Sequence, residues 1–212
     1  MSVRGLYAIV DCDFLATRGC APLAFLERLL EARPAAVQLR AKSSGARVTL
    51  ELARRMAALC RDCQVPFFAN DRPDLALLSV SVGVHLGQQD LSLEDARRVA
   101  PGLQLGLSTH RLEEVERALA EAPDYLAFGP VFATGSKRDP EPVVGLDKLA
   151  EAARRCRQAG IPLVAIGGID AARAPQVAAC ADAGAVISAL LPPGGLSEVS
   201  ATARRLHALL GG

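Results

Sequence analysis

The chain has no tryptophan, and only 4% of its 212 residues are aromatic. Any core must therefore be built from Ala, Leu and Val. No aromatic and basic residues interleave to stack nucleic-acid bases. An excess of one charge is also missing: 24 Lys and Arg stand against 23 Asp and Glu. That balance argues against a nucleic-acid or membrane surface. Long apolar runs are absent as well. The first, LYAIV, covers residues 6–10 and meets Asp11 at once. It is too short for a signal segment or a membrane span, so the expected compartment is the cytoplasm, or an organelle matrix after loss of a transit segment. The six cysteines are scattered. Cys60 and Cys63 form a C-x-x-C without a second pair, in helical register with Leu52, Met56 and Leu59. They read as reduced, buried thiols rather than a metal or redox centre.

What the chain has is a regular alternation. Short apolar stretches at Leu6–Val10, Ala36–Arg40, Pro66–Asn70, Gly83–Gly87, Gln104–Ser108, Tyr125–Gly129, Pro162–Gly167 and Gly184–Ser188 read as strands. Their continuous apolarity suits strands covered on both faces. Helical spacing fills the gaps. Leu23, Leu26, Leu29 and Leu30 share a face, and Ser92 and Asp95 form a capping box. Leu146, Leu149, Ala153 and Cys156 stripe a helix that Gly160 ends. Asp170 and Ser197 are expected to cap the last two helices. The pattern predicts a single compact (β/α)8 barrel over residues 1–212, of class α/β. An open doubly wound sheet would call for G-x-G-x-x-G after the first strand, and VDCDFLATRG has none.

In such a barrel the chemistry gathers where strands end. The stretch Pro66 to Asp90 carries two of those ends, with Asp71 after one and Asp90 after the other. Side by side, the carboxylates repel unless a cation separates them, and Mg²⁺ is the simplest choice. As isolated residues they would serve equally well as helix caps or solvated loop acids. Gln38, Arg40 and Lys42 point one way by strand periodicity. Arg and Lys there can hold phosphate, or simply form a solvated basic edge. Thr134, Gly135, Ser136 and Lys137 offer hydroxyls, backbone N–H groups and charge, with a polar, proline-rich lid following. Gly167, Gly168, Ile187 and Ser188 close the seventh and eighth strands, where barrels commonly bind a second phosphate. Ser108 and His110 end the fifth, His110 as an acid–base group or as a loop anchor.

Taken in order, VQLRAK, FFANDR, VHLGQQD, GLSTH, FGPVFATGSK, VAIGGI and VISAL resemble the thiamine phosphate synthase and thiazole tautomerase family over nearly the whole chain. The resemblance implies a (β/α)8 barrel that joins a hydroxymethylpyrimidine diphosphate to a thiazole phosphate, with these small molecules as its partners. It implies Asp71 and Asp90 as Mg²⁺ ligands. It also implies Gln38, Arg40, Lys42, Asn70, Ser108 and Lys137 as contacts of the pyrimidine diphosphate, with Arg40, Lys42, Ser108 and Lys137 carrying the catalysis. Thr134, Gly135, Ser136, Gly168, Ile187 and Ser188 are implied as contacts of the thiazole phosphate. One departure is visible: the lid often reads T-x-T-K, and Ser136 stands where the second Thr would be. Two other readings remain open. One is the metal-free tautomerase branch with His110 as proton shuttle, and the other a non-catalytic barrel that binds a phosphorylated ligand.

Overall fold

A computed structural model describes residues 3–135 and 141–212. Its strands are β1 (Gly5–Asp11), β2 (Ala36–Arg40), β3 (Phe67–Asn70), β4 (Gly83–Leu86), β5 (Gln104–Thr109), β6 (Tyr125–Phe128), β7 (Leu163–Ile166) and β8 (Ala183–Val186). Each strand pairs in parallel with the next, and β8 returns to β1 through Gly5 opposite Ala183. The ring is closed, so the expected barrel is the fold. Each strand begins and ends within two residues of its expected limits.

The helices among the described residues are α1 (Cys12–Thr17), α2 (Pro22–Leu30), α3 (Ala46–Asp62), α4 (Pro73–Leu78), α5 (Leu93–Val99), α6 (Leu112–Ala120), α7 (Gly145–Ala159), α8 (Ala174–Ala178) and α9 (Leu196–Leu209). The period of two divides each strand between two cores. Leu6, Ala8 and Val10 of β1 pack outward with Phe25, Leu26 and Leu29 of α2. Tyr7 and Ile9 pack inward with Phe68, Tyr125 and Val164. Glycine makes room for those large rings. A Cβ on Gly106 would run into the Tyr125 ring, and one on Gly83 into Phe68. Both tyrosines and Phe68 thus fill the barrel interior, while Phe25, Phe67 and Phe128 belong to the outer core.

Several local expectations need correction. On α3 the buried face is Ala53, Met56, Ala57 and Cys60, while Leu52, Leu59 and Cys63 flank it. Small alanines let the helix sit close to the sheet, which displaces the leucine stripe to the margins. Asp170 accepts from the N–H groups of Ala172 and Arg173, but this closes a turn ahead of α8. Ser197 lies inside α9, whose N-cap is Gly195, and its hydroxyl donates to Gly194 O. Ser92 does cap α5 by accepting from Asp95 N–H, and Gly160 ends α7 with a left-handed φ of 69°. Helix α1 was not legible in the sequence. It opens on Asp11, whose side chain accepts from Phe14 N–H at 2.9 Å.

Candidate active site

Because every strand is parallel and the ring is closed, all eight carboxyl ends share one rim. The β1–β4 half of the rim carries Arg40, Lys42, Asp71 and Asp90. Arg40, at the end of β2, reaches Asp11 at the end of β1, Nη1 to Oδ2 at 2.5 Å. Asp11 is only 3% exposed, so this partner of Arg40 is a buried carboxylate. The role of Asp11 is visible only once β1 and β2 are paired with Asp11 opposite Arg40. Lys42, two residues further on, reaches Asp71 Oδ2 at 2.5 Å.

Asp71 follows β3 in a left-handed turn with φ 64°, a conformation Asp tolerates better than most residues. Its N–H donates to His85 O on β4, which fixes the turn against the neighbouring strand. Asp90 closes the loop after β4 by accepting from Gly87 N–H at 2.6 Å. The two acids meet. Burial pushes the Asp90 carboxyl above its ordinary range, the Gly87 N–H pulls it back, and a hydrogen bond and charge from Asp71 push it up again. Asn70, the last residue of β3, lies opposite His85 of β4 beside this pair.

A divalent ion fits here on the chemistry of the donors. Two hard carboxylates raise each other's affinity for positive charge, and their flanking cation is Lys42. Among the described residues no group of three or more His, Cys, Asp or Glu could hold a metal. Mg²⁺ takes one or two carboxylates and completes its shell with water and substrate phosphate, so this pair is a sufficient donor set for it.

The β5–β8 half of the rim forms a cavity of about 350 Å³. Ser108, Thr134, Gly135, Gly168, Ile187 and Ser188 all line it, as does His110. Gly167 and Gly168 have φ of 103° and 64°. A Cβ on the first would meet Pro130, and one on the second Phe132 and Ala133. Side chains are thus excluded where the β7 turn presses on the loop after β6. Ser188 opens a 3-10 turn over Ser188–Leu190. His110 donates from Nδ1 to Gly129 O at 2.6 Å, because a carbonyl can only accept. It anchors the β5 and β6 loops to each other.

Sequence reasoning missed one cation here. Arg173 lines the cavity, lies 5.0 Å from the Phe132 ring centroid and donates to Gly168 O at 2.7 Å. Its place just ahead of α8, after the β7 turn, was the available signal. Ser136 and Lys137 lie outside the described residues, as does part of the expected lid.

Gln38 points inward from β2 and is 3% exposed. Its Nε2 donates to Tyr7 OH at 3.0 Å. Ser108 Oγ bonds His85 Nε2 at 2.8 Å, while Ser108 O accepts from Gln88 Nε2. Among the described residues no helix is long and apolar enough to cross a membrane.

Known proteins match this arrangement. A family model described as thiamine monophosphate synthase covers residues 6–190. The thiamine-phosphate synthase of Methanocella arvoryzae is 44% identical over 207 residues, spanning 97% of this chain and 94% of that one. The thiamine-phosphate synthase of Thermus thermophilus is 50% identical over 151 residues, 71% of each chain. Among solved structures, thiamine phosphate pyrophosphorylase from Pyrococcus furiosus superposes with a TM-score of 0.85 at 32% identity, covering 99% of this chain and 96% of that one.

Proposed function

The chain belongs to the thiamine monophosphate synthase family, and we propose that its two rim halves divide the reaction between two phosphorylated substrates. It is a transferase that joins a pyrimidine to a thiazole phosphate and releases pyrophosphate. The charged half, with Arg40, Lys42 and the Asp71–Asp90 pair, takes the diphosphate of the pyrimidine substrate. The cavity opposite, with Thr134, Gly135, Gly168, Ile187 and Ser188, takes the thiazole phosphate. The meeting of Asp71 and Asp90 carries this reading. A tautomerase without metal has no use for two converging carboxylates.

Asp71 and Asp90 would hold Mg²⁺, which when bound neutralises charge on the leaving pyrophosphate. Arg40 and Lys42 supply the remaining positive charge, each held beforehand by an acid. Lys137, which follows β6 in the sequence, would add a further charge. Bond breaking comes first. The pyrimidine's amino group feeds electrons into the resulting methylene cation, so no protein nucleophile is called for. The thiazole nitrogen then attacks that methylene.

The test is an assay of the purified protein with both substrates, with and without Mg²⁺. Oxidation converts thiamine phosphate to a fluorescent product. Fluorescence is expected only when both substrates and the ion are present. Its absence under every metal condition, together with calorimetric binding of the thiazole phosphate, would favour a non-catalytic barrel instead.

A further inference from the structure

Five side chains cross the barrel interior in one unbroken chain of hydrogen bonds. Gln38 Nε2 meets Tyr7 OH at 3.0 Å, Tyr7 OH meets Tyr125 OH at 2.8 Å, Tyr125 OH meets His85 Nδ1 at 3.0 Å, and His85 Nε2 meets Ser108 Oγ at 2.8 Å. They come from β2, β1, β6, β4 and β5. Both ends, Gln38 and Ser108, are expected substrate contacts. The three middle residues are not.

Each phenol has one proton to give, and burial pushes both phenols up, so both protons stay on. A run in which each group passes its proton to the next then has two possible directions. In the first, Gln38 donates to Tyr7, Tyr7 to Tyr125, and Tyr125 to His85 Nδ1. A neutral His85 must carry its proton on Nε2 and give it to Ser108 Oγ. That leaves the Ser108 hydroxyl proton and the Gln38 carbonyl oxygen for a ligand. In the reverse direction Ser108 spends its proton on His85, and Gln38 has only N–H to offer.

We propose that Tyr7, Tyr125 and His85 are positioning residues that polarise this chain from Gln38 toward Ser108. Ser108 is thereby fixed as a donor and Gln38 as an acceptor. One observation and one argument from the substrate select this direction. The Gln38 amide places Nε2 on Tyr7. The substrate offers the matching partners, since a diphosphate has only acceptors for Ser108 and an aminopyrimidine has an N–H for Gln38. The second argument rests on the reading of the pyrimidine substrate given above.

The His85 tautomer tests the direction on the ligand-free protein. Nitrogen NMR of histidine-labelled protein, assigned with the His85→Gln variant, is expected to show Nε2 as the protonated nitrogen and Nδ1 as the bare one. The opposite assignment overturns the proposal, whether or not the protein forms thiamine phosphate. The companion variant is Tyr125→Phe, which keeps the ring and removes the middle hydroxyl. Its KM for the pyrimidine diphosphate is expected to rise about tenfold, as for loss of one buried hydrogen-bond partner. The KM for the thiazole phosphate should not change. Equal rises in both would mark a merely structural role and count against the proposal.

Discussion

Lys42 Nζ lies 2.5 Å from Asp71 Oδ2, so a base expected to bind diphosphate rests on an acid expected to bind metal. The pair is half exposed on the lysine side, which limits its worth to about 1 kcal/mol. If Asp71 holds a divalent ion as proposed, the ammonium would compete with it for the same carboxylate.

Lys42→Met should therefore act in opposite directions on two measurements. Mn²⁺ binding to the free variant, read by electron paramagnetic resonance, is expected to tighten about two- to fivefold. Turnover of the pyrimidine diphosphate should fall, because its leaving group loses a charge. Unchanged Mn²⁺ affinity would separate Lys42 from the metal site.

Asp11 performs two tasks, capping α1 and holding Arg40. Asp11→Ala is expected to cost about 3 kcal/mol in denaturant unfolding, the order seen when one partner of a buried pair is removed. It should also raise the KM for the diphosphate substrate through a less fixed Arg40. A loss below about 1 kcal/mol would mean that solvent screens the pair.

Asp71, Asp90 and Asp11 differ in how far the sequence could convey them. Asp71 and Asp90 were legible because each follows an apolar run, and consecutive parallel strands bring their ends together. Asp11 also follows such a run, yet its partner Arg40 is 29 positions away and is found only through strand register. Tyr7, His85 and Tyr125 were hidden for a related reason. Strands buried on both faces read as continuous apolar segments, so nothing in the local pattern says which side chains turn inward. Gly83 and Gly106 were the available clue, as gaps opposite large rings. The displaced face of α3 was missed because alanine packs closest while leucine dominates the pattern.

His207 of α9 accepts from Leu6 N–H through Nδ1 at 3.1 Å, tying the last helix to the first strand. Burial lowers its pKa below the ordinary value of about 6.5. A base with a depressed pKa takes up its proton more readily when unfolded. Its contribution to stability is therefore complete above about pH 6.5 and is lost as pH falls through the lower, folded value. Melting temperatures taken from pH 8 to pH 5 should fall more steeply for the wild type than for His207→Gln, which keeps an acceptor but does not titrate. Parallel curves would remove His207 from the acid response.

Cys60 is buried on α3, where burial and the neighbouring Cys63 push its thiol up to about 12. The thiolate is then scarce at neutral pH, and Cys60 should react with iodoacetamide only as fast as the protein unfolds. Mass spectrometry of native and denatured samples checks this. Rapid native alkylation, or a Cys60–Cys63 disulfide under mild oxidant, would revive the redox reading of the C-x-x-C.

The convergence of Asp71 and Asp90 on one ion is tested most directly by pyrophosphate release against Mg²⁺ concentration. Wild type, Asp71→Asn and Asp90→Asn should be compared with both substrates present. Release by the wild type should depend on Mg²⁺, and each variant should lose at least about a hundredfold of it. Full Mg²⁺-dependent release by Asp71→Asn would contradict the shared site.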